Sequence, residues 1–244
     1  MGVMLFLSIF LLYLLIKLGI MEFQVTFKVN EKLYVKNPET SEIGRNIVKT
    51  GVDMICKLGF ESFTFKKLAE EMETTEATIY RYFENKHRLL LYILNWYWSY
   101  LEFLVVFNLH NVNDSQVQIR TIIRLLTHEL PETSGRLEYN RKNLNRIVIA
   151  ESSKAYLVKD VSEINRDQAF KPYKDLCAKI ADVIREHCPT YKYPRSLAST
   201  LVETAHSQQF FSTHLQRLSD SNQKEHSEYV SKFLEDLVFK TLSK

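Results

Sequence analysis

The hydrophobic pattern of this 244-residue chain changes period twice. Residues 1–20 are nearly continuous, with 16 apolar residues in 20, and residues 23–29 then alternate as Phe23, Val25, Phe27 and Val29. Followed by Asn30-Glu31-Lys32 and Leu33-Tyr34-Val35, this alternation predicts an extended, hairpin-like arm over residues 21–37. From Pro38 onward the spacing is helical. Asn37 as N-cap, Pro38 at the first helical position and Glu39 in the first turn start a helix over Pro38 to Leu58. That helix turns Ile43, Ile47, Val48, Met54 and Ile55 toward one side and stops at Gly59. Two short helices follow, Phe65 to Met72 behind Thr64 and Glu76 to Phe83 behind Thr75. Asn85 then caps a long one from Lys86 to Asn108. Further helices are predicted over Asp114 to Glu129, Asn140 to Tyr156, Glu163 to His187, Pro194 to Leu215 and Asn222 to Ser243, with Pro172 kinking or splitting the third of these.

Two short helices joined by a three-residue turn form the layout of a helix-turn-helix. Ala69 sits at the crossing, and Leu68, Met72, Ile79 and Phe83 can share one small core. The second helix opens with small and polar residues, Thr75 to Thr78, which suit close approach to a major groove. Its aromatic and basic end, Tyr80 to Lys86, suits phosphates.

On these residues the chain resembles the TetR/AcrR family of bacterial one-component transcription regulators. The resemblance rests on Gly59-Phe60, the Thr64-capped Leu68-Ala69 helix, and the run Thr75-x-x-Thr78-Ile79-Tyr80-x-Tyr82-Phe83-x-x-Lys86-x-x-Leu89. It departs at Glu73-Thr74, where the family commonly has Gly-Val and where a positive φ is expected. The fold implied is all-α: a helix-turn-helix three-helix domain over 38–88 and a C-terminal antiparallel helical effector and dimerisation domain over 89–244. By the same resemblance, Thr64, Thr75, Thr78, Tyr80, Tyr82 and Lys86 touch the DNA backbone or order the recognition helix. Base reading falls to Thr75, Glu76, Ala77 and Arg81.

Composition agrees with a helical reading and removes other classes. Only 6 Gly and 5 Pro are present, less than half of the roughly 12% of average usage. No phosphate-cradling glycine loop can be built from them. Three separated cysteines give neither a disulfide framework nor a zinc knuckle, no histidine pair has metal-ligand spacing, and no nucleophile, base and orienter trio stands out. No metal, no cofactor and no enzyme are therefore expected. Charge bounds the DNA reading: residues 39–88 carry 8 Lys or Arg against 9 Asp or Glu. Binding then needs Arg45, Lys66, Lys67, Arg81, Lys86 and Arg88 gathered on one face, and the salt dependence should be shallow.

The leader is open to three readings: translation upstream of a start at Met21, a membrane anchor held by Lys17, Lys28, Lys32 and Lys36, or a packed N-terminal helix. The first is preferred. A secretory signal is disfavoured, because no Lys or Arg precedes the apolar run and no small-residue cleavage site follows it. Leu89 to Phe107 has 16 apolar residues in 19 and is read as a helix buried in protein rather than a second span. Its aromatics Trp96, Tyr100 and Phe103, with Glu102, His128, Glu151, His206 and Gln209, are candidates for lining an effector cavity; plain core packing is the simpler account for any one of them. The last helix carries a wide apolar stripe. With its neighbour it supplies a candidate dimer interface of Leu197, Leu201, Ala205, Tyr229, Val230, Phe233, Leu234, Leu237 and Val238.

The expected protein is thus a cytoplasmic homodimeric repressor that binds a near-palindromic double-stranded operator and is released by a small-molecule effector. The rival from another class is a membrane-tethered helical interaction protein without DNA binding.

Overall fold

The computed structural model describes residues 27–128, 139–221 and 226–243; the apolar leader and the start of the arm lie outside the described residues. Among the described residues there is no strand. The α-helices are α1 (Glu42–Leu58), α2 (Phe65–Glu71), α3 (Glu76–Tyr80), α4 (Lys86–Leu109), α5 (Ser115–Thr127), α6 (Arg141–Glu151), α7 (Ser153–Tyr156), α8 (Val161–Arg166), α9 (Lys171–His187), α10 (Pro194–His214) and α11 (His226–Leu242).

Local chemistry sets most starts. The side chains of Ser41, Thr64, Asn85, Asp114 and Asn140 accept backbone N–H groups at the first turns of α1, α2, α4, α5 and α6, which satisfies donors that have no partner within the helix. Pro172 lies in the first turn of α9, where its missing N–H costs nothing. Gly59 ends α1 with φ 76°.

α1 to α3 form the head, closed over Ile47, Val48, Val52, Ile55, Phe65, Leu68, Ile79 and Phe83. α4 leaves the head and runs through the body, where α5 and α9 pack against it; α10 lies on α9 and α5, and α11 on α5 and α10. α4 is long and apolar enough to cross a membrane, yet most of it is buried inside the protein. That is the buried-helix reading of Leu89 to Phe107. α6 is the cross-brace, touching α1 of the head and α10 of the body.

Several boundaries differ from the sequence expectation. The described part of the arm is not extended pairing: Glu31–Leu33 is a 3-10 turn capped by Asn30. Pro38 starts a second 3-10 turn, Pro38–Thr40, and the extended Ser41 (φ −150°) separates it from α1. Its effect is to set Pro38 and Glu39 against the rest of the head. The recognition helix stops at Tyr80 rather than Phe83, and the Tyr82 carbonyl accepts from Val35 N–H at 2.8 Å. The long helix expected to Tyr156 breaks after Glu151, and the one expected from Glu163 is split by the turn at residues 167–170.

Candidate nucleic-acid interface and effector cavity

The turn between α2 and α3 forms as the motif requires. Glu73 takes φ 50°, and Thr74 N–H closes on Ala69 O at 2.9 Å. α3 then stands with Ile79 inward and Thr75, Glu76, Ala77, Tyr80 and Arg81 exposed. Thr75 makes no capping bond; its hydroxyl and that of Thr74 both meet Thr78 Oγ1, at 3.1 and 3.2 Å. This short hydroxyl chain braces the first turn of a helix of only five residues. Tyr80 is 50% exposed, with its ring edge-on to Phe65 at 5.2 Å. Thr64 caps α2, and Lys66 beside it is exposed.

Three expected DNA contacts are engaged inside the head instead. Tyr82 is 3% exposed and its hydroxyl lies 2.8 Å from Ser41 Oγ, tying the end of the motif to the cap of α1. Lys86 Nζ donates to the carbonyls of Phe60, Glu61 and Phe63 at 2.9, 3.0 and 3.1 Å, and sits 4.7 Å from the Phe60 ring centroid. All three ammonium donors are spent on the α1–α2 loop. Arg45 donates to Glu39 O at 2.8 Å. Of the other expected cations, Lys67 holds Ser62 O, and Arg88 lies 3.6 Å from Glu84 and 3.9 Å from Asp167. Of the six cations, Lys66, Lys67 and Arg81 are exposed, whereas Arg45, Lys86 and Arg88 are half-buried.

The effector candidates divide as well. His128, Glu151 and Gln209 line a cavity of about 890 Å³ between the end of α1, α6, the end of α10 and the start of α11. Ile55, Ile147 and Phe210 supply apolar wall, and Lys142, Arg146 and His226 were not singled out by the sequence. Gln209 Nε2 donates to Leu126 O at 3.1 Å and His128 Nδ1 meets Thr127 Oγ1 at 3.0 Å, so both are anchored. Trp96, Tyr100 and Phe103 lie elsewhere: Trp96 stacks on Tyr100, and Phe27 meets all three edge-on. Glu102 is half-buried, and burial followed by Asp175 raises its pKa. His206 is buried with neither ring nitrogen hydrogen-bonded, and burial lowers its pKa to about 4.

The cavity adjoins a seam between head and body. Phe60 N–H donates to Glu151 Oε1 at 3.0 Å, and Lys154 bridges Glu151 at 2.8 Å and Glu61 at 3.1 Å. These bonds raise the Lys154 pKa, the hydrogen bond to Glu151 first. A second tie is Glu39, whose Oε1 accepts from Tyr92 at 2.7 Å and Tyr139 at 2.6 Å. Neither carboxylate stands at a spacing that a periodicity argument could have found.

The candidate dimer set is corrected by burial. Leu197, Leu201, Ala205, Val230, Leu234 and Val238 face this chain's own core, with the last three fully covered. They fill the space between α11 and its neighbours and cannot face a second copy. Tyr229 and Leu237 are half-buried and packed against the same core, and Phe233, at 36% exposure, is the one of the set left open.

Residues 47–93 match the family described as bacterial regulatory proteins, tetR family. Among solved structures, AibR in complex with isovaleryl coenzyme A and operator DNA is 15% identical with TM-score 0.54, covering 80% of this chain and 98% of that one. The transcriptional regulator FadR from Bacillus subtilis in complex with stearoyl-CoA is 14% identical with TM-score 0.55, covering 81% and 97%. The ketosteroid transcriptional regulator KstR2 of Mycobacterium tuberculosis is 11% identical with TM-score 0.51, covering 91% and 100%. At these identities the likeness establishes a common fold. No curated protein matches the chain.

Proposed function

We propose that this chain, which belongs to the tetR family of bacterial regulatory proteins, is a homodimeric transcriptional repressor that a small-molecule effector releases from a near-palindromic operator. It acts in the cytoplasm, and its family are regulators rather than enzymes. The observation that carries the reading is the outward side of α3: Thr75, Glu76, Ala77, Tyr80 and Arg81 are exposed together while Ile79 is buried. A side chain on that helix can reach base edges only because nothing of the protein covers it. Glu76 can accept from a cytosine amino group and Ala77 can meet a thymine methyl; Thr64, Lys66, Tyr80 and Arg81 serve phosphates. Two such heads bind half-sites about one helical turn apart, roughly 34–36 Å.

The effector site is the cavity on α1, α6, α10 and α11. An occupant there lies against Glu151, which holds the head through Phe60 N–H. A ligand that binds better to one setting of that seam shifts the spacing of the two heads, and its differential affinity sets how far operator binding falls.

The test is a shift assay on DNA from the region upstream of the protein's own gene. Specific retardation is expected. Lys66→Ala should weaken it uniformly across sequences and reduce the salt slope by about 1, whereas Glu76→Ala should change sequence preference. Absence of retardation at low salt overturns the proposal.

A further inference from the structure

A second recess, distinct from the effector cavity, opens beside α7, α8, α9 and α10 with a volume of about 570 Å³. Tyr156, Val161, Phe170 and Tyr173 give it apolar and aromatic walls, and Glu203 of α10 enters it as an acidic group. Glu203 Oε2 accepts from Tyr156 at 2.7 Å and Oε1 from Tyr173 at 2.6 Å. Burial, reinforced by Glu203, raises the pKa of both tyrosines, so both hydroxyls stay donors.

These bonds orient the carboxylate without neutralising it. Among the described residues no Lys, Arg or His pairs with Glu203. Lys174, the cation that lines the recess, donates to Asn165 Oδ1 instead. His206, less than one turn further along α10, is buried, and its lowered pKa keeps it neutral. A carboxylate that accepts two hydrogen bonds still has unused lone pairs, and a half-buried anion without a counter-ion favours any cation that can reach it. Aromatic faces add cation–π attraction.

We propose that this recess binds an organic cation with an apolar body, its ammonium group on Glu203 and its body against Tyr156, Phe170 and Tyr173. An inorganic cation would leave the apolar walls uncovered, and an anion would meet Glu203 directly. The site stands apart from the DNA reading, and its test needs no operator.

The chain has two tryptophans; Trp98 lies 4.9 Å from Tyr173 by ring centroids, so Trp96→Phe leaves a single reporter behind the site. This protein is titrated with 4-phenylbutylammonium, 4-phenylbutanol and 4-phenylbutyrate, which share one apolar body and differ in charge. A saturable fluorescence change is expected for the ammonium ion, with at least tenfold weaker binding of the alcohol and none of the carboxylate. Glu203→Gln should cost the ammonium ion about tenfold and leave the alcohol unchanged. Equal affinity for ammonium ion and alcohol overturns the proposal, as does a Glu203→Gln protein that binds the ammonium ion normally but dissociates more readily as a dimer. Should Glu203→Gln fail to fold, the charge series on the Trp96→Phe protein decides by itself.

Discussion

Gly44 shows how narrowly one residue can be specified. A Cβ there would lie 2.4 Å from the Pro38 carbonyl oxygen and 2.8 Å from a Tyr82 ring carbon, so backbone and an anchored ring would both have to move. Gly44→Ala is expected to lower the unfolding free energy by about 1–3 kcal/mol in urea denaturation. An unchanged midpoint would mean that the Pro38–Thr40 turn is looser than its contacts imply. His206 makes a pH argument at the same scale. Its pKa is about 4 when folded, below the usual value near 6.5. As pH falls through about 6.5 the unfolded chain takes up a proton that the folded chain does not, so stability declines until about pH 4. His206→Phe should flatten the stability profile across that window; an identical profile would show that other groups govern it.

At the scale of elements, the head depends on joints as much as on helices. α2 and α3 have seven and five residues, too short to be stable alone, and the turn at Glu73 sets their crossing. Because Glu73 adopts a left-handed φ of 50°, Glu73→Gly should stabilise the head by roughly 0.5–1 kcal/mol, read as a higher midpoint in thermal denaturation. Destabilisation would indicate that the Glu73 side chain contributes more than its backbone costs. The same joints explain why Lys86 and Tyr82 are internal. Lys86 gathers the carbonyls of the loop after α1, and Tyr82 clamps the residues after α3 onto Ser41. Both tie the segments flanking α3 to the rest of the head.

At the scale of the whole molecule, burial sorts the last helix into two sides with different consequences. Leu234 is fully buried, and Leu234→Ala should cost about 2–5 kcal/mol of folding stability. Phe233, 36% exposed, is the large apolar side chain of α11 left open to a second copy. Phe233→Glu should leave the helical content intact while shifting the protein to monomer in sedimentation and removing operator-specific retardation. A Phe233→Glu dimer of normal affinity would move the interface elsewhere. Charge is also a property of the whole: the head is near neutral, and most of its expected cations are bound to protein groups, which supports a shallow salt dependence.

What the amino-acid order determined by itself is whatever acts within a turn or two. The caps at Thr64, Asn85, Asp114 and Asn140, the stop at Gly59, the helix-turn-helix and the left-handed Glu73 are all of this kind, because their bonds close within a few residues. Only the tertiary structure decided the roles that depend on distant partners. Lys86 finds its acceptors 23 to 26 residues back along the chain, Glu39 its tyrosines 53 and 100 residues on, and Glu151 its N–H 91 residues back. Likewise the stripe of α11 is apolar on both of its rows, and periodicity cannot tell which row meets the chain's own core. Packing settles it, since α5 and α10 cover Val230, Leu234 and Val238 and leave Phe233 open.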